Sequence, residues 1–216
     1  IMPANLLSGN YQKKCIKGSK FLSSLDQDWN SLVSSVGPCT HNLSIELEPY
    51  QALIKSVIFQ QLRPASATAI FNRFKQNFDN NFPTEEKILA SPESKLKESG
   101  LSFNKRKTII EIARHVQKGE LENRQNFLMM NDSQIIEKLT KIKGIGEWTA
   151  QMLMIFNLGK LDVFPAGDFA LRKNYSLFKS IASPLTMREL SKISEEWKPF
   201  RSIAAWYLWR YRNILN

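Results

Sequence analysis

Two glycines separated by one residue, Gly144 and Gly146, sit between two apolar helical runs, and this arrangement constrains the chain more than any other feature of its sequence. Upstream, Ile135, Ile136 and Leu139 recur at helical spacing, with Asp132 placed to cap the helix. Downstream, Trp148, Met152, Ile155 and Phe156 mark one face of a second helix, which Ala150, Leu153 and Met154 widen towards full burial. A glycine at 144 can take a positive φ and close the first helix, and one at 146 lets the backbone approach a ligand closely. The run therefore predicts helix, tight hairpin and helix over 139–157. The first amides of the second helix have no intrahelical partner, so they present donors and a favourable dipole to an anion such as a DNA phosphate. A plain turn between two core helices is the alternative that this pattern leaves open.

Charge favours the first reading. The 216 residues carry 30 Lys+Arg against 20 Asp+Glu, a net charge of +10, which attracts a polyanion. Lys141 and Lys143 stand beside the hairpin itself. Cys15 and Cys39 lack metal-ligand spacing, and His41 and His115 lie far apart, which argues against zinc and against a four-cysteine iron–sulfur cluster. No stretch is long and apolar enough for a membrane span, and the first residues lack the pattern of a signal peptide, so an intracellular, reduced setting is expected.

The remaining chain reads as helices: 26–36, 48–61 opened by Pro49, 64–78, a short one after Ser91-Pro92 that Gly100 ends, and 105–118. Thr186-Met187-Arg188-Glu189 reads as a capping box, and Pro199 reopens the chain for a last helix through Leu215. Cys39 to Leu47 is the one candidate strand, since Asn42 to Leu47 alternates polar and apolar residues. The expected class is all-α, with residues 1–25 as a connecting arm and 26–216 as the working domain.

Twenty-two residues beyond Gly146 stands Asp168, closing Val163-Phe164-Pro165-Ala166-Gly167-Asp168. Phe169, Leu171, Arg172 and Tyr175 continue helically, so Asp168 suits a helix N-cap and an isolated catalytic carboxylate at once. The segment 139–150 and the loop 163–168 together resemble the helix-hairpin-helix Gly/Pro-Asp DNA glycosylase superfamily, whose pattern reads L-x-x-I-x-G-I-G-x-W-T-A and then V-x-P-x-x-D. Ile58 to Leu62, Gly100 to Lys107 and Trp197 to Arg210 strengthen the resemblance to its alkylated-base branch, the 3-methyladenine glycosylases of type II. The likeness runs from about Leu43 to Tyr211. It implies two helical lobes around a cleft, with the hairpin and Asp168 at its mouth.

The resemblance also implies roles. Asp168 is the catalytic residue, stabilising the positive charge that grows on the sugar as a base departs. Trp148 replaces the lysine with which strand-nicking relatives attack the sugar, so the expected chemistry is hydrolysis without strand cleavage. Trp148, Met152, Trp197 and Phe200 are the candidates for a base pocket, although core packing accounts for Trp197 and Phe200 equally simply. Gly144, Gly146, Thr149, Lys141 and Lys143 are expected to contact DNA. Gln61 or Leu62 is the candidate wedge that fills the gap left by a flipped nucleotide, with Arg63 in the minor groove, while a capping Gln61 and a core Leu62 remain the alternative. Arg201 suits either a phosphate or an acidic partner. Met152 and Arg63 depart from the family, where an aromatic and a small residue are common. No cofactor is expected beyond a monovalent cation, Na+ or K+, on hairpin carbonyls near Ile142 and Ile145. The implied partner is double-stranded DNA containing alkylated bases, met by a monomer in a bacterial nucleoid or cytoplasm, or in a eukaryotic nucleus. A non-catalytic protein that recognises damaged DNA through its hairpin is the competing reading, and an oxidised-base lyase a third.

Overall fold

The computed structural model describes residues 4–211, and every regular element among them is helical. In chain order these are α1 (Ala4–Ser23), α2 (Gln27–Val36), α3 (Pro49–Phe59), α4 (Pro64–Gln76), α5 (Glu85–Ala90), α6 (Glu93–Glu98), α7 (Phe103–Gln117), α8 (Arg124–Met129), α9 (Asp132–Thr140), α10 (Glu147–Phe156), α11 (Phe169–Phe178), α12 (Met187–Ile193) and α13 (Arg201–Tyr211). A 3₁₀ turn, Ser194–Trp197, follows α12. The chain divides into two compact units, one made of residues up to Leu43 together with those from Met154, the other of Ser44–Leu153.

Local signals set most boundaries. Asp26 caps α2 by accepting from Trp29 N at 2.8 Å, Thr186 and Glu189 form the capping box that opens α12, and Gly100 takes φ +89 just beyond α6. Helix α9 is capped by Asn131 rather than Asp132: Asn131 Oδ1 accepts from Gln134 N at 2.9 Å, and Gln134 Oε1 accepts from Asn131 N at 3.0 Å. That reciprocal pair satisfies two amides, which Asp132 with Ile135 three residues on cannot match. Residues expected as a connecting arm instead form α1, which buries Tyr11, Cys15 and Leu22 and packs on α2. The expected continuation of α13 to Leu215 lies outside the described residues.

The candidate strand forms none among the described residues: Leu47 N donates to the Ser44 carbonyl at 3.3 Å and turns the chain, and Ser44 is as buried as Leu43 and Ile45, so the expected alternation is not kept. Side chains take the place of a ladder. Gln12 Nε2 donates to the His41 carbonyl at 2.6 Å, and, in the second unit, Arg124 Nη2 donates to the carbonyls of Ile45 and Leu47.

The first unit is built on aromatic rings. Trp29 meets Phe178 at 5.0 Å and Trp197 at 5.4 Å between centroids, and Phe164 and Tyr175 lie 5.1 and 5.3 Å from Trp197. Burying a ring of this kind contributes roughly 2–3 kcal/mol before conformational entropy is counted. The second unit centres on α7, whose Ile109, Ile112 and Ala113 are fully buried and which packs on α3, α5 and α6.

Candidate active site

The hairpin in the second unit follows the alternation of its sequence. Ile142 and Ile145 point inward, 1% and 4% exposed, while the glycines leave the outer side bare. The turn closes through Ile145 N donating to the Ile142 carbonyl at 2.9 Å, and α10 begins with Ala150 N donating to the Gly146 carbonyl at 3.1 Å. The two glycines are needed for different reasons. Gly144 has φ +94, and a Cβ there would lie 2.0 Å from Thr108 Oγ1 on α7. At Gly146 a Cβ would meet nothing within 4 Å, so the head of α10 faces open space. That geometry presents main-chain donors to an incoming anion. Lys143 is exposed, and Lys141 is tied only by a surface pair with Glu137 at 3.0 Å, which holds it weakly.

Within α10 the buried apolar residues are Ala150, Met152, Leu153, Met154 and Ile155, whereas Trp148 is 41% and Phe156 36% exposed. The expected apolar face was therefore too wide. Trp148 lies partly at the surface, whereas Met152, 9% exposed, offers little. Thr149 is a further correction. It is 3% exposed, and its hydroxyl accepts from Gln60 Nε2 at 2.9 Å, so it joins α10 to the end of α3 instead of facing DNA.

The turn after α3 carries the wedge candidates. Gln61 adopts φ +56, an uncommon conformation for a side-chain-bearing residue, and it is exposed. Leu62 is 38% exposed, which excludes the core alternative, and Arg63 is exposed as well. Lys105 lies behind this turn. Its ammonium donates to the carbonyls of Ile58 and Gln60, both at 2.8 Å, and burial pushes it below the usual lysine range. Sequence reasoning gave Lys105 no role, although it falls within the segment Gly100 to Lys107.

In the first unit, Val163, Phe164, Pro165 and Ala166 are buried, Gly167 is exposed and Asp168 is half-buried. Asp168 N donates to the Pro165 carbonyl at 2.8 Å, and Asp168 Oδ1 accepts from Leu171 N at 3.0 Å, so the carboxylate caps α11 as its sequence implied. The N-terminal end of α13 fastens the loop behind it. Ser202 Oγ accepts from Val163 N at 2.9 Å and donates to the Lys160 carbonyl at 2.8 Å, and Ser202 N donates to the Leu161 carbonyl at 2.9 Å.

Arg201 belongs to the same fastening. Its Nε and Nη2 reach Asp162 Oδ1 and Oδ2 at 2.8 and 3.1 Å, and Nη1 reaches Glu195 at 3.0 Å. A guanidinium engaged on both sides is spent on this loop and not on phosphate. Trp197 and Phe200 are corrected in the same direction: at 2% and 8% exposed they are core residues, Trp197 wedged among Trp29, Phe164 and Tyr175, and Phe200 against Phe21. Aromatics at helical spacing carry no mark that separates a pocket wall from a core, so sequence could not have decided them.

Residues 54–199 match the model of the HhH-GPD superfamily of base excision DNA repair proteins. A DNA-3-methyladenine glycosylase 1 of Schizosaccharomyces pombe is 40% identical over 202 residues, spanning 93% of this chain and 89% of that protein. An alkylbase DNA glycosidase-like protein of the same organism is 37% identical over 196 residues, spanning 90% and 92%. The solved structure of a Schizosaccharomyces pombe 3-methyladenine DNA glycosylase in complex with abasic DNA superposes with a TM-score of 0.84 at 39% identity, covering 90% of this chain and 95% of that one.

Proposed function

This chain belongs to the HhH-GPD superfamily of base excision DNA repair proteins, and we propose that it is a DNA glycosylase that hydrolyses the N-glycosidic bond of alkylated purines, 3-methyladenine and 7-methylguanine among them. The observation that carries the reading is Asp168, a half-buried carboxylate fixed at the head of α11 on a loop fastened by Ser202 and Arg201. The relatives named for 3-methyladenine release, and the one bound to abasic DNA, support both the reaction and double-stranded DNA as the partner.

A damaged base has to leave the stack before its glycosidic bond can be reached. The open amides at the head of α10, with Lys141 and Lys143, hold phosphates and so fix the DNA without reading its sequence. Gln61 and Leu62 enter the duplex from their exposed turn, with Arg63 beside them in the minor groove. As the C1′–N bond breaks, the base leaves with the bonding electrons and positive charge develops on the sugar. The Asp168 carboxylate stabilises that charge and orients the water that adds to C1′, whose proton passes to the carboxylate and then to solvent. A purine alkylated at N3 or N7 is cationic and departs neutral, which lessens the need for a general acid. Trp148 supplies no amine for a Schiff base, so the product is an abasic site in an uncut strand, and its exposed indole suits an electron-poor base.

A Na+ or K+ ion at the hairpin would be held by main-chain carbonyls near Ile142 and Ile145. The Ile142 carbonyl accepts from Ile145 N and keeps a second lone pair for such an ion, which would supply positive charge beside a phosphate. The protein acts as a monomer, in nucleoid or nucleus, where its substrate is. Incubation with methylated duplex DNA followed by chromatography of free bases tests the reading: 3-methyladenine and 7-methylguanine appear, and borohydride traps no covalent adduct. DNA binding without base release would leave a non-catalytic damage-recognition protein in its place, and a trapped adduct a lyase.

A further inference from the structure

The segment Gly100 to Lys107 has no part in the chemistry above, yet it places a cation where a helix ends. Helix α3 finishes at Phe59, and its last carbonyls have no intrahelical donors. Lys105, from the first turn of α7, reaches across with Nζ 2.8 Å from the Ile58 carbonyl and 2.8 Å from the Gln60 carbonyl. The next residue, Gln61, turns the chain through φ +56 without being glycine, a conformation that persists only where its surroundings hold it. A second tether acts from the other side, Gln60 Nε2 donating to the buried Thr149 hydroxyl of α10 at 2.9 Å. One turn further along α7, Thr108 packs under Gly144 of the hairpin. The first two turns of α7 thus support both the hairpin and the turn that carries Gln61 and Leu62.

We propose that Lys105 is a positioning residue for strand entry: bonded to the Ile58 and Gln60 carbonyls, and aided by Gln60 on Thr149, it fixes Gln61 and Leu62 in the conformation that fills the space left by a flipped nucleotide. The inference rests on the glycosylase reading and on the wedge role of that turn. Two of the three ammonium donors of Lys105 are directed at main-chain carbonyls, which assigns it to the turn and not to the reacting atoms. Misplacement of a wedge by about 1 Å costs up to a hundredfold in rate, so loss of this cap is felt in catalysis out of proportion to its distance from the sugar.

The test uses Lys105→Met, which keeps the length of the stem and removes the donors. Three measurements are made on the full chain: single-turnover base release from methylated duplex, fluorescence of 2-aminopurine placed beside an abasic analogue, and the salt dependence of binding to undamaged duplex. The expected result is a fall in release of about tenfold or more and a matching loss of the unstacking signal, with the salt slope unchanged. Combined with Leu62→Ala, Lys105→Met adds little, since both act through one turn. A salt slope reduced by about one identifies Lys105 as a phosphate ligand and overturns the proposal. So do independent, additive losses in the double variant. If Gln61→Ala with Leu62→Ala leaves release and fluorescence at the wild-type level, the wedge reading itself fails. If that variant loses both signals while Lys105→Met keeps them, only the role of Lys105 fails. Should Lys105→Met melt early, Lys105→Gln, whose shorter side chain does not reach both carbonyls, carries the same test with the same results for and against.

Discussion

The loop that carries Asp168 and the hairpin are supported differently, although each unit holds both buried aromatic rings and exposed apolar residues. In the unit that holds Asp168, Trp29, Phe164, Tyr175, Phe178 and Trp197 turn inward and form the platform behind the carboxylate loop. In the unit that holds the hairpin, Trp148 and Leu62 remain 41% and 38% exposed, and a Cβ at Gly146 would meet nothing within 4 Å. An aromatic cluster supports the loop of the charged group, whereas Ile142 and Ile145 hold the hairpin and leave its glycines outward.

The largest effect that sharpens this contrast comes from Asp168→Asn. Asparagine caps a helix as well as aspartate does, so stability should change by less than about 0.5 kcal/mol. Base release should fall by about a thousandfold, measured in single turnover, while DNA affinity is kept. Equal losses of stability and activity would reduce Asp168 to a cap.

Trp197→Ala comes next. Removing a buried indole should cost roughly 3–5 kcal/mol in a denaturant melt, whereas Trp148→Ala should stay within about 0.5 kcal/mol and weaken release of the damaged base instead. A stable Trp197→Ala protein with impaired base selection would restore Trp197 to the pocket and break the contrast.

Within the hairpin, Gly144→Ala should cost about 2 kcal/mol or more, because its new Cβ meets Thr108 in a backbone conformation that L side chains rarely adopt. Gly146→Ala meets no obstacle, so its melt should move by less than about 1 kcal/mol while affinity for duplex DNA falls in a binding titration.

The smallest effect is acid sensitivity of the aromatic unit. His41, buried and bonded to the Tyr11 hydroxyl at 2.6 Å, has its pKa lowered to about 4 by desolvation first and by the Arg210 charge second. The unfolded chain takes up this proton below about pH 6.5 and the native one only near pH 4. Stability is therefore lost as pH falls from 6.5 towards 4, by about 2 kcal/mol at pH 5. His41→Asn, which does not titrate, should flatten that part of the melting profile.

Much of the fold was legible because its signals are local. Capping by Thr186 and Asp168, and the positive φ at Gly144, act over three or four residues and were readable. Helices α5 and α8, six residues each, were missed because one and a half turns give no periodicity to count. Helix α1 was missed because its glycines and lysines obscured the few apolar residues that face the core. At the site, Gln61, Leu62, Arg63, Lys141, Lys143, Gly144, Gly146 and Trp148 stand where a DNA-facing role allows, while Thr149, Trp197, Phe200 and Arg201 are taken up by internal contacts.

The sequence by itself determined that helices flank a glycine hairpin and that Asp168 opens a helix, since each depends on backbone geometry and on side chains a few positions away. Only the tertiary structure decided which cations and aromatics are taken up by internal contacts. Lys105 reaches carbonyls 45 and 47 residues back, and Arg201 a carboxylate 39 residues back. A side chain's reach across such distances is set by how the helices pack, and no pattern within a single helix records whether its charge or its ring has already found a partner.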